Sequence, residues 1–235
     1  MQIAAKRVIG DTQLISSNFD NLILTYTGTT GIYWGLEDSS STTTAADLSG
    51  NGNTLTCTSY TFGEPGIITS DSRTCAQLTT SSSGASTYKP SYSAVTLGFI
   101  IQFPSAVPSS AAYALYNYNG SHAGCYLGIS ASNAIVTGFF NGTTGSTQQG
   151  LTTLVAGDTY LLVSTWAGAA LSVYTCNLTT KSVVSRSTAT LSGSMTSPQN
   201  WSSAVGGTAY LGRLFVLPVA LSSAQVSTLA ATAWV

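Results

Sequence analysis

The sequence predicts an all-β protein built as an antiparallel sandwich of two sheets. Short apolar segments recur about every 10 residues through the middle of the chain, and turn-forming residues separate them. Several segments alternate apolar and polar residues with a period of two, which is typical of strands that bury one face. Only residues 221–233 are predicted to form a helix.

Residues 1–31 lack this pattern and are predicted to form an extended N-terminal arm, ahead of one sandwich domain over residues 32–235. The arm could pack along the domain's own surface or reach a neighbouring subunit. No apolar stretch of the length found in a cleavable secretory signal follows the basic pair Lys6 and Arg7. With Met1 at the start, we expect synthesis in a cytoplasm and release by another route, unless a signal has already been removed.

The strands of the domain follow from their residue patterns. Tyr33 and Leu36 are predicted to face the core from the first strand, with Trp34 nearby. Residues 54–62 (TLTCTSYTF) alternate apolar and polar residues and predict one half-buried strand. Residues 95–103 (VTLGFIIQF) are almost wholly apolar, as expected of a strand between the two sheets. Further strands are predicted for residues 75–80, 111–119, 124–130, 134–142 and 182–193.

The C-terminal helix is predicted from its capping residues. Ser222 is expected to cap the N-terminus, and Gln225, three residues later, suits a capping box. Val226 and Leu229 would then face the sandwich.

Two segments near the ends of the domain resemble a known family. Residues 33–38 (YWGLED) with residues 47–55 (DLSGNGNTL), and later residues 209–230 (AYLGRLFVLPVALSSAQVSTLA), resemble the opening and closing signatures of laminin G-like, or concanavalin A-like, lectin domains. Residues 158–177 resemble that family's paired central strands. The resemblance implies a jelly-roll sandwich, but it implies no single function, because the scaffold serves lectins, adhesion modules, glycosidases and virion proteins.

Charge is scarce throughout the chain. Charged residues make up 6% of it, against roughly 25% in typical globular proteins. About 70 residues are Ser or Thr, so hydroxyl groups replace charge on the surface. The net charge of −1 and the lack of a basic stripe argue against nucleic-acid binding, and no apolar run is long enough to predict membrane insertion. A neutral surface of this kind favours association with copies or partners.

The four cysteines admit two interpretations. Cys57 and Cys75 could form a disulfide between neighbouring strands, or Cys57, Cys75, Cys125 and Cys176 could all be buried free thiols. The chain has no C-x-x-C motif and His122 is its single histidine, so no structural zinc site is expected.

The sequence predicts no enzymatic activity. Glycosidases on this scaffold carry their carboxylates on one strand as E-x-D-x-E or a close variant, and the chain has no such motif. Glu37 and Asp38 are adjacent and would point to opposite faces of a strand. A Ser-His-Asp triad would have to use His122, and no serine lies in a G-x-S-x-G motif.

The polar loop at residues 47–53 has two interpretations. Relatives in the resembled family bind Ca²⁺ at the sandwich rim, and Asp47, Asn51 and Asn53 could supply oxygen ligands. The favoured alternative is a turn held by hydrogen bonds from these side chains to the backbone, with no cofactor.

Glycan binding needs exposed aromatic rings with polar partners nearby. The candidates are Tyr116, Tyr118, His122, Trp166 and Trp201. Tyr116 and Tyr118 form the best pair, because a period of two places them on one face beside two asparagines. The alternative is that this face belongs to the core or to a subunit interface, where Tyr and Trp are also enriched.

Two functions remain open from the sequence. The first is a non-enzymatic virion structural protein, which decorates or cements a capsid or forms a fibre head, and which displays a glycan-binding surface. Its partners would be copies of itself, a trimer being the expected oligomer, together with a major capsid protein and cell-surface glycans. The second is a secreted carbohydrate-binding module or lectin. Phage particles often display lectin-like sandwiches, so the resemblance favours the virion.

Overall fold

The computed structural model describes residues 18–234, except residues 69–72, 90, 110–111, 119–122 and 190–199. Two antiparallel sheets of eight strands each form a sandwich, which confirms the predicted fold class. Sheet A contains β1 (Ile32–Trp34), β4 (Thr61–Glu64), β5 (Cys75–Leu78), β7 (Ala94–Gln102), β12 (Thr159–Ala167), β13 (Ala170–Asn177), β14 (Ser182–Ala189) and β16 (Ala209–Leu217). Sheet B contains β2 (Thr44–Ala45), β3 (Leu55–Thr58), β6 (Ser83–Ala85), β8 (Ala112–Tyr116), β9 (Ala123–Ile129), β10 (Ala134–Asn141), β11 (Gly145–Thr153) and β15 (Ser202–Ala204).

The strand order shows how the chain crosses between the sheets. Sheet A runs β14-β13-β12-β7-β16-β5-β4, with β1 also paired to β16, and sheet B runs β11-β10-β9-β8-β15-β6-β3-β2. The predicted hairpin of residues 158–177 is present as β12 and β13, which pair from Tyr160 opposite Asn177 to Ala167 opposite Ala170. The first and last strands of the domain, β1 and β16, are neighbours, so the two segments that carried the family resemblance meet in space.

One predicted strand is in fact two. Residues 54–62 divide into β3 and β4, which belong to different sheets. Ser59, between them, has a backbone φ of 58°, in the left-handed region that turns the chain. Each of the two strands buries alternate residues, so the period-two pattern runs from one to the other without a visible break. The pattern therefore did not reveal the turn between them.

Sheet A is buried on both faces. Its central strands β7, β12 and β16 are buried along almost their whole length, unlike strands that leave one face in water. One face packs against sheet B through residues such as Trp34, Phe99 and Tyr160. The other face carries a second apolar cluster, which includes Ile100 and Phe215. Tyr33, predicted to face the core with Leu36, belongs to this second cluster, whereas Trp34 and Leu36 belong to the core between the sheets.

Two helices cover the outer face of sheet A. The predicted C-terminal helix is confirmed as α2 (Ser223–Thr232). The capping box between Ser222 and Gln225 is formed, and Val226 and Leu229 are buried against the sheet. The approach to α2 is held by Thr96, whose hydroxyl donates to the Val219 carbonyl at 2.7 Å.

The second helix, α1 (Asn18–Thr27), lies in the segment predicted as an extended arm. It packs along the domain's own surface, against β1, β16 and α2. Phe19 places its ring edge-on to Phe215, with the centroids 6.3 Å apart. Residues 1–17 of the predicted arm lie outside the described residues.

A buried cluster of charged side chains connects α1 to sheet A through ion pairs. Asp20, in the first turn of α1, forms ion pairs with Arg73 and Arg213 and accepts a hydrogen bond from the Tyr33 hydroxyl. Glu37 completes the cluster, with its Oε1 3.0 Å from Arg73 Nη1 and 3.4 Å from Arg213 Nη1. Asp20 and Arg213 are almost wholly inaccessible to solvent. Two carboxylates therefore face two guanidinium groups where water is largely excluded.

The cluster predicts a large cost for removing one of its arginines. Arg213→Met should lower the free energy of unfolding by about 3–5 kcal/mol, because two buried carboxylates would then share a single cation. Arg186→Met makes the same chemical change at an exposed site on β14 and should cost about 0.5 kcal/mol or less. Urea denaturation of both variants measures the difference, and equal midpoints would contradict a structural role for the cluster.

A second prediction concerns the stability effect of adding a side chain at Gly98, at the centre of sheet A. The Phe215 ring lies over it so closely that an added Cβ would be 2.1 Å from Phe215 Cζ. Gly98→Ala should therefore lower the free energy of unfolding by about 1–3 kcal/mol through overpacking. Gly212, on the neighbouring strand, is the matched control, since a Cβ there meets no atom closer than 3.9 Å. The interpretation fails if thermal unfolding shows Gly98→Ala to be as stable as Gly212→Ala.

Candidate functional site

Five aromatic rings gather on the outer face of sheet B. They belong to Tyr113, Tyr116, Tyr118, Tyr126 and Phe140, and are called the aromatic patch below. The patch contains both members of the tyrosine pair predicted to bind glycans. It lies on the face of sheet B that points away from the core between the sheets.

The patch has two layers. The Tyr118 ring stacks on the Phe140 ring, with the centroids 4.4 Å apart and the planes at 25°. The Tyr113 ring lies 4.4 Å from the Tyr126 ring, at 41°. Tyr126 and Phe140 are nearly buried and form the floor, whereas Tyr113 is 37% exposed and Tyr116 and Tyr118 are half-buried. The upper rings thus offer apolar faces to solvent while the lower rings hold them in place.

Two glycines allow the floor rings to lie against the sheet. A Cβ at Gly138 would be 2.5 Å from Tyr126 Cε1, and a Cβ at Gly145 would be 1.9 Å from Phe140 Cδ1. Each glycine lies opposite its ring in the strand register, Gly138 across from Tyr126 and Gly145 across from Phe140. An aromatic ring above a cross-strand glycine covers backbone that would otherwise be exposed. Any larger residue at Gly138 or Gly145 would displace a floor ring.

A bulge in β8 brings two tyrosines to the same face. Tyr113 and Tyr116 are three residues apart, so a regular strand would place them on opposite faces. The register of β8 against β9 shifts between Ala112 and Leu115, and both Ala114 and Leu115 point into the core. The extra residue leaves Tyr113 and Tyr116 together in the patch, with their ring centroids 6.2 Å apart.

The residues after β8 are held by Asn117, which lies between Tyr116 and Tyr118. Its Oδ1 accepts a hydrogen bond from the backbone N–H of Cys125 at 2.7 Å, and its own backbone N–H donates to the Cys125 carbonyl. Asn117 is fully buried, so it positions the patch rather than lining it.

The floor of the patch is an environment of low polarity. Burial, together with the nearby Tyr113 and Tyr118 phenols, raises the pKa of the Tyr126 phenol to about 12. Tyr126 is therefore uncharged throughout the physiological range.

The other predicted glycan-binding residues do not join the patch. Trp166 and Trp201 are 1% and 0% exposed and belong to the core between the sheets, so the prediction that they contact a sugar is wrong. The Trp166 ring is stacked on Phe139 instead. Trp166, on β12, and Trp201, just before β15, both contribute to the core between the sheets, which their sequence context did not reveal. His122 lies outside the described residues.

Three residues of the patch were missed by the sequence analysis. Tyr113, Tyr126 and Phe140 lie in strands whose alternation does not distinguish the inner from the outer face. The glycines were an available signal, because a glycine within a strand often marks a close approach of another group.

The polar loop at residues 47–53 has the geometry of a turn. The Asp47 carboxylate accepts hydrogen bonds from the backbone N–H groups of Tyr33, Ser49 and Asn53, at 2.9–3.1 Å. The Asn51 amide donates to the Gly31 carbonyl at 2.8 Å. These contacts support the turn interpretation. Calcium binding by Asp47, Asn51 and Asn53 stays a prediction.

Four of the described carboxylates are engaged in contacts that hold the fold. Asp20 and Glu37 are paired with arginines in the buried cluster, and Asp47 is engaged by backbone groups. Asp158 accepts a 2.7 Å hydrogen bond from the Asn177 amide. Among the described residues, no three His, Cys, Asp or Glu side chains are grouped in a way that could hold a metal ion.

The cysteines are buried free thiols, so the alternative of a Cys57–Cys75 disulfide is wrong. Cys57 is on β3 of sheet B and faces the core between the sheets, whereas Cys75 is on β5 of sheet A and faces the outer cluster. The two residues are near in sequence, but the chain crosses between sheets at Ser59 and separates them. Burial raises the pKa of both thiols to about 12.

Comparison with known proteins supports the fold. No protein-family model matches the sequence, and no characterised protein is significantly similar to it in sequence. Solved structures are similar at low identity. The binding domain of Paraclostridial Mosquitocidal Protein 1 superposes with a TM-score of 0.66 at 14% identity, over 86% of this chain and 52% of the other.

Botulinum neurotoxin binding domains are similar to the same degree. A type DC domain, solved in complex with SialylT, has a TM-score of 0.61 and 11% identity over 85% of this chain and 50% of its own. A type C structure, from a toxin that needs interaction with two ganglioside molecules to enter cells, has a TM-score of 0.62 and 10% identity over 86% of this chain and 51% of its own. The chain spans about half of these structures. They show a shared sandwich fold, and none of those three is described as a laminin G or virion protein.

The two helices of the described ranges, α1 and α2, have ten residues each. No helix in these ranges is long and apolar enough to cross a membrane.

The thiols provide the prediction for this part of the molecule. Because the thiolate is the reactive form and burial raises the pKa of Cys57 and Cys75 to about 12, neither should react with Ellman's reagent at neutral pH in the folded protein. Guanidinium chloride should expose four reactive thiols, Cys57, Cys75, Cys125 and Cys176. Only two reactive thiols in denaturant would show that the other two cysteines form a disulfide. Immediate reaction of the thiols without denaturant would contradict their burial.

Proposed function

We propose that this chain is a non-enzymatic glycan-binding domain and that the aromatic patch is its binding site. The observation that carries the proposal is the two-layer arrangement, in which partly exposed tyrosines rest on buried aromatic rings. Surface tyrosines without such support would lose side-chain entropy on binding, whereas rings already held by stacking lose less.

The patch suits the chemistry of a sugar ring. One face of a hexose presents C–H groups, which pack on an aromatic face, and its hydroxyls need hydrogen-bonding partners at the edge. Tyrosine supplies both a flat apolar ring and a phenolic O–H. Tyr113, Tyr116 and Tyr118 are accessible in different degrees, so a chain of sugars could follow them across the sheet.

The similar toxin domains add support of a general kind. Two of those described above are associated by name with SialylT and with gangliosides, which are sugar-bearing ligands. The similarity covers about half of those domains at 10–11% identity, so it supports a recognition role for the fold and identifies no residue.

A virion structural role is the second candidate, and the exposed apolar residues favour it. Leu151 on the edge strand β11 is 67% exposed, and Val184 on the edge strand β14 is partly exposed. Exposed apolar groups on sheet edges, on a surface with little charge, suit contacts with copies or with a capsid protein. In this arrangement the domain would decorate a capsid or form a fibre head with the patch displayed outward. The alternative is that the domain is a secreted lectin.

The proposal predicts that Tyr118→Ala weakens glycan binding about tenfold or more, since truncating a central aromatic contact usually costs more than about 1 kcal/mol. Tyr118→Phe keeps the ring on Phe140 and should retain most of the affinity. Tyr210→Ala is the matched control, because Tyr210 is a half-buried tyrosine on sheet A, outside the patch. A glycan array followed by titration calorimetry on its positive glycans provides the measurement.

Two results would overturn this assignment. The first is equal glycan binding by wild type and Tyr118→Ala. The second is a defined oligomer in native mass spectrometry that dissociates in Tyr118→Ala, which would make the patch a subunit interface. Far-ultraviolet circular dichroism on each variant separates either result from loss of folding.

A further inference from the structure

We propose that the aromatic patch selects uncharged glycans and discriminates against sialylated, uronic-acid and sulfated ones. This inference rests on the proposed glycan-binding function and adds the ligand class. It would distinguish the chain from the similar toxin domains, whose names point to sialylated or ganglioside ligands.

The distribution of charge along the chain carries the inference. Residues 90–157 contain no Asp, Glu, Lys or Arg, and all of β8, β9, β10 and β11 fall within this run. The remaining strands of sheet B, β2, β3, β6 and β15, also have no charged residue. Every ring of the patch therefore belongs to a charge-free segment of sequence.

Five of the charged residues in the described ranges are engaged outside the patch. Asp20, Glu37, Arg73 and Arg213 neutralise one another beneath α1, on sheet A. Arg186, on β14, donates to the backbone carbonyl of Gln149 at 3.3 Å, on the edge strand β11. Gln149 pairs with Val136 of β10, whereas Phe140, the patch residue on β10, pairs with Gly145 farther along β11.

Such a surface disfavours an anionic ligand on two physical grounds. A carboxylate or sulfate brought against it loses hydration and meets no Arg or Lys from the strands of sheet B in exchange, whereas strong anion recognition in proteins uses charge-assisted hydrogen bonds from Arg or Lys. The faces of aromatic rings also carry negative electrostatic potential, which attracts C–H groups and repels anions. Burial raises the pKa of Tyr126 to about 12, and the groups that act on it through charge are other tyrosines rather than a cation.

A neutral sugar has neither cost. Its C–H face packs on the rings, and its hydroxyls exchange hydrogen bonds with water for hydrogen bonds with phenols and with the many Ser and Thr side chains of the surface. Binding of this kind involves no release of counterions, so it should change little with salt.

The experiment compares neutral glycans with anionic derivatives of the same glycans. The full-length protein is tested on an array that carries N-acetyllactosamine with its 3′-sialyl and 6-sulfo forms, and dextran with dextran sulfate. The neutral member of any pair that binds should be favoured by about tenfold or more. Its affinity should stay nearly constant from about 0.01 to about 1 M NaCl, although the Debye length falls from about 30 to about 3 Å over that range.

A matched pair of variants tests the electrostatic cause. Tyr116→Arg places a cation at the rim of the patch and should raise binding of the sulfated or sialylated member, with an affinity that falls as salt rises. Tyr116→Gln removes the same ring without adding a charge, so it should weaken binding of any neutral glycan and gain no binding of anionic ones. If the arginine variant gains no anionic binding, electrostatics does not set the preference and the inference is wrong.

The outcomes separate this inference from the proposed function. Tighter binding of the anionic members by the wild type overturns the inference and leaves glycan binding intact. Failure to bind any neutral or anionic glycan overturns the proposed function and the inference with it.

Discussion

The two sheets of this sandwich bury different numbers of faces, and the remaining organisation follows from that difference. Both sheets pack against each other, but sheet A carries a second apolar cluster on its outer face that must also be shielded from water. The helices α1 and α2, contributed by opposite ends of the described chain, provide that cover. The outer face of sheet B, where the aromatic patch lies, is covered in part by the rings of the patch itself and is partly exposed to solvent.

Covering sheet A requires α1 to be fixed in place, and apolar contact is only part of the solution. Asp20 enters the sheet's outer face from α1 and meets Arg73 and Arg213 there. Ion pairs removed from water are costly unless each charge has a well-placed partner, so we expect the cluster to favour one packing position of α1. Apolar packing covers the face, and the charges determine the position of the helix. The hydrogen bond from the Gln225 amide to the Tyr26 hydroxyl, at 3.1 Å, joins α1 to α2 directly.

The sequence allowed the architecture to be predicted well and the surface poorly. The sandwich, the β12–β13 hairpin and the capped helix α2 depend on local signals, namely periodicity, turn residues and a capping box. The division between β3 and β4, and the face to which Trp166 and Trp201 point, depend on which sheet a strand joins. That choice is made by tertiary packing. The helix α1 was missed because its stability comes from sheet A and from Arg73 and Arg213, which are distant in sequence.

The patch shows the same limit. Tyr116 and Tyr118 were identified from local spacing, but their supporting rings come from β9 and β10, and the bulge that adds Tyr113 is visible only in the paired strands. The helices α1 and α2 lie together on the outer face of sheet A, and the patch lies on the outer face of sheet B. Residues 18 and 234, which bound the described ranges, therefore lie on the side opposite the patch. If several copies were held through that side, all their patches would face outward, and individually weak contacts would combine into avidity for a surface that carries many identical ligands.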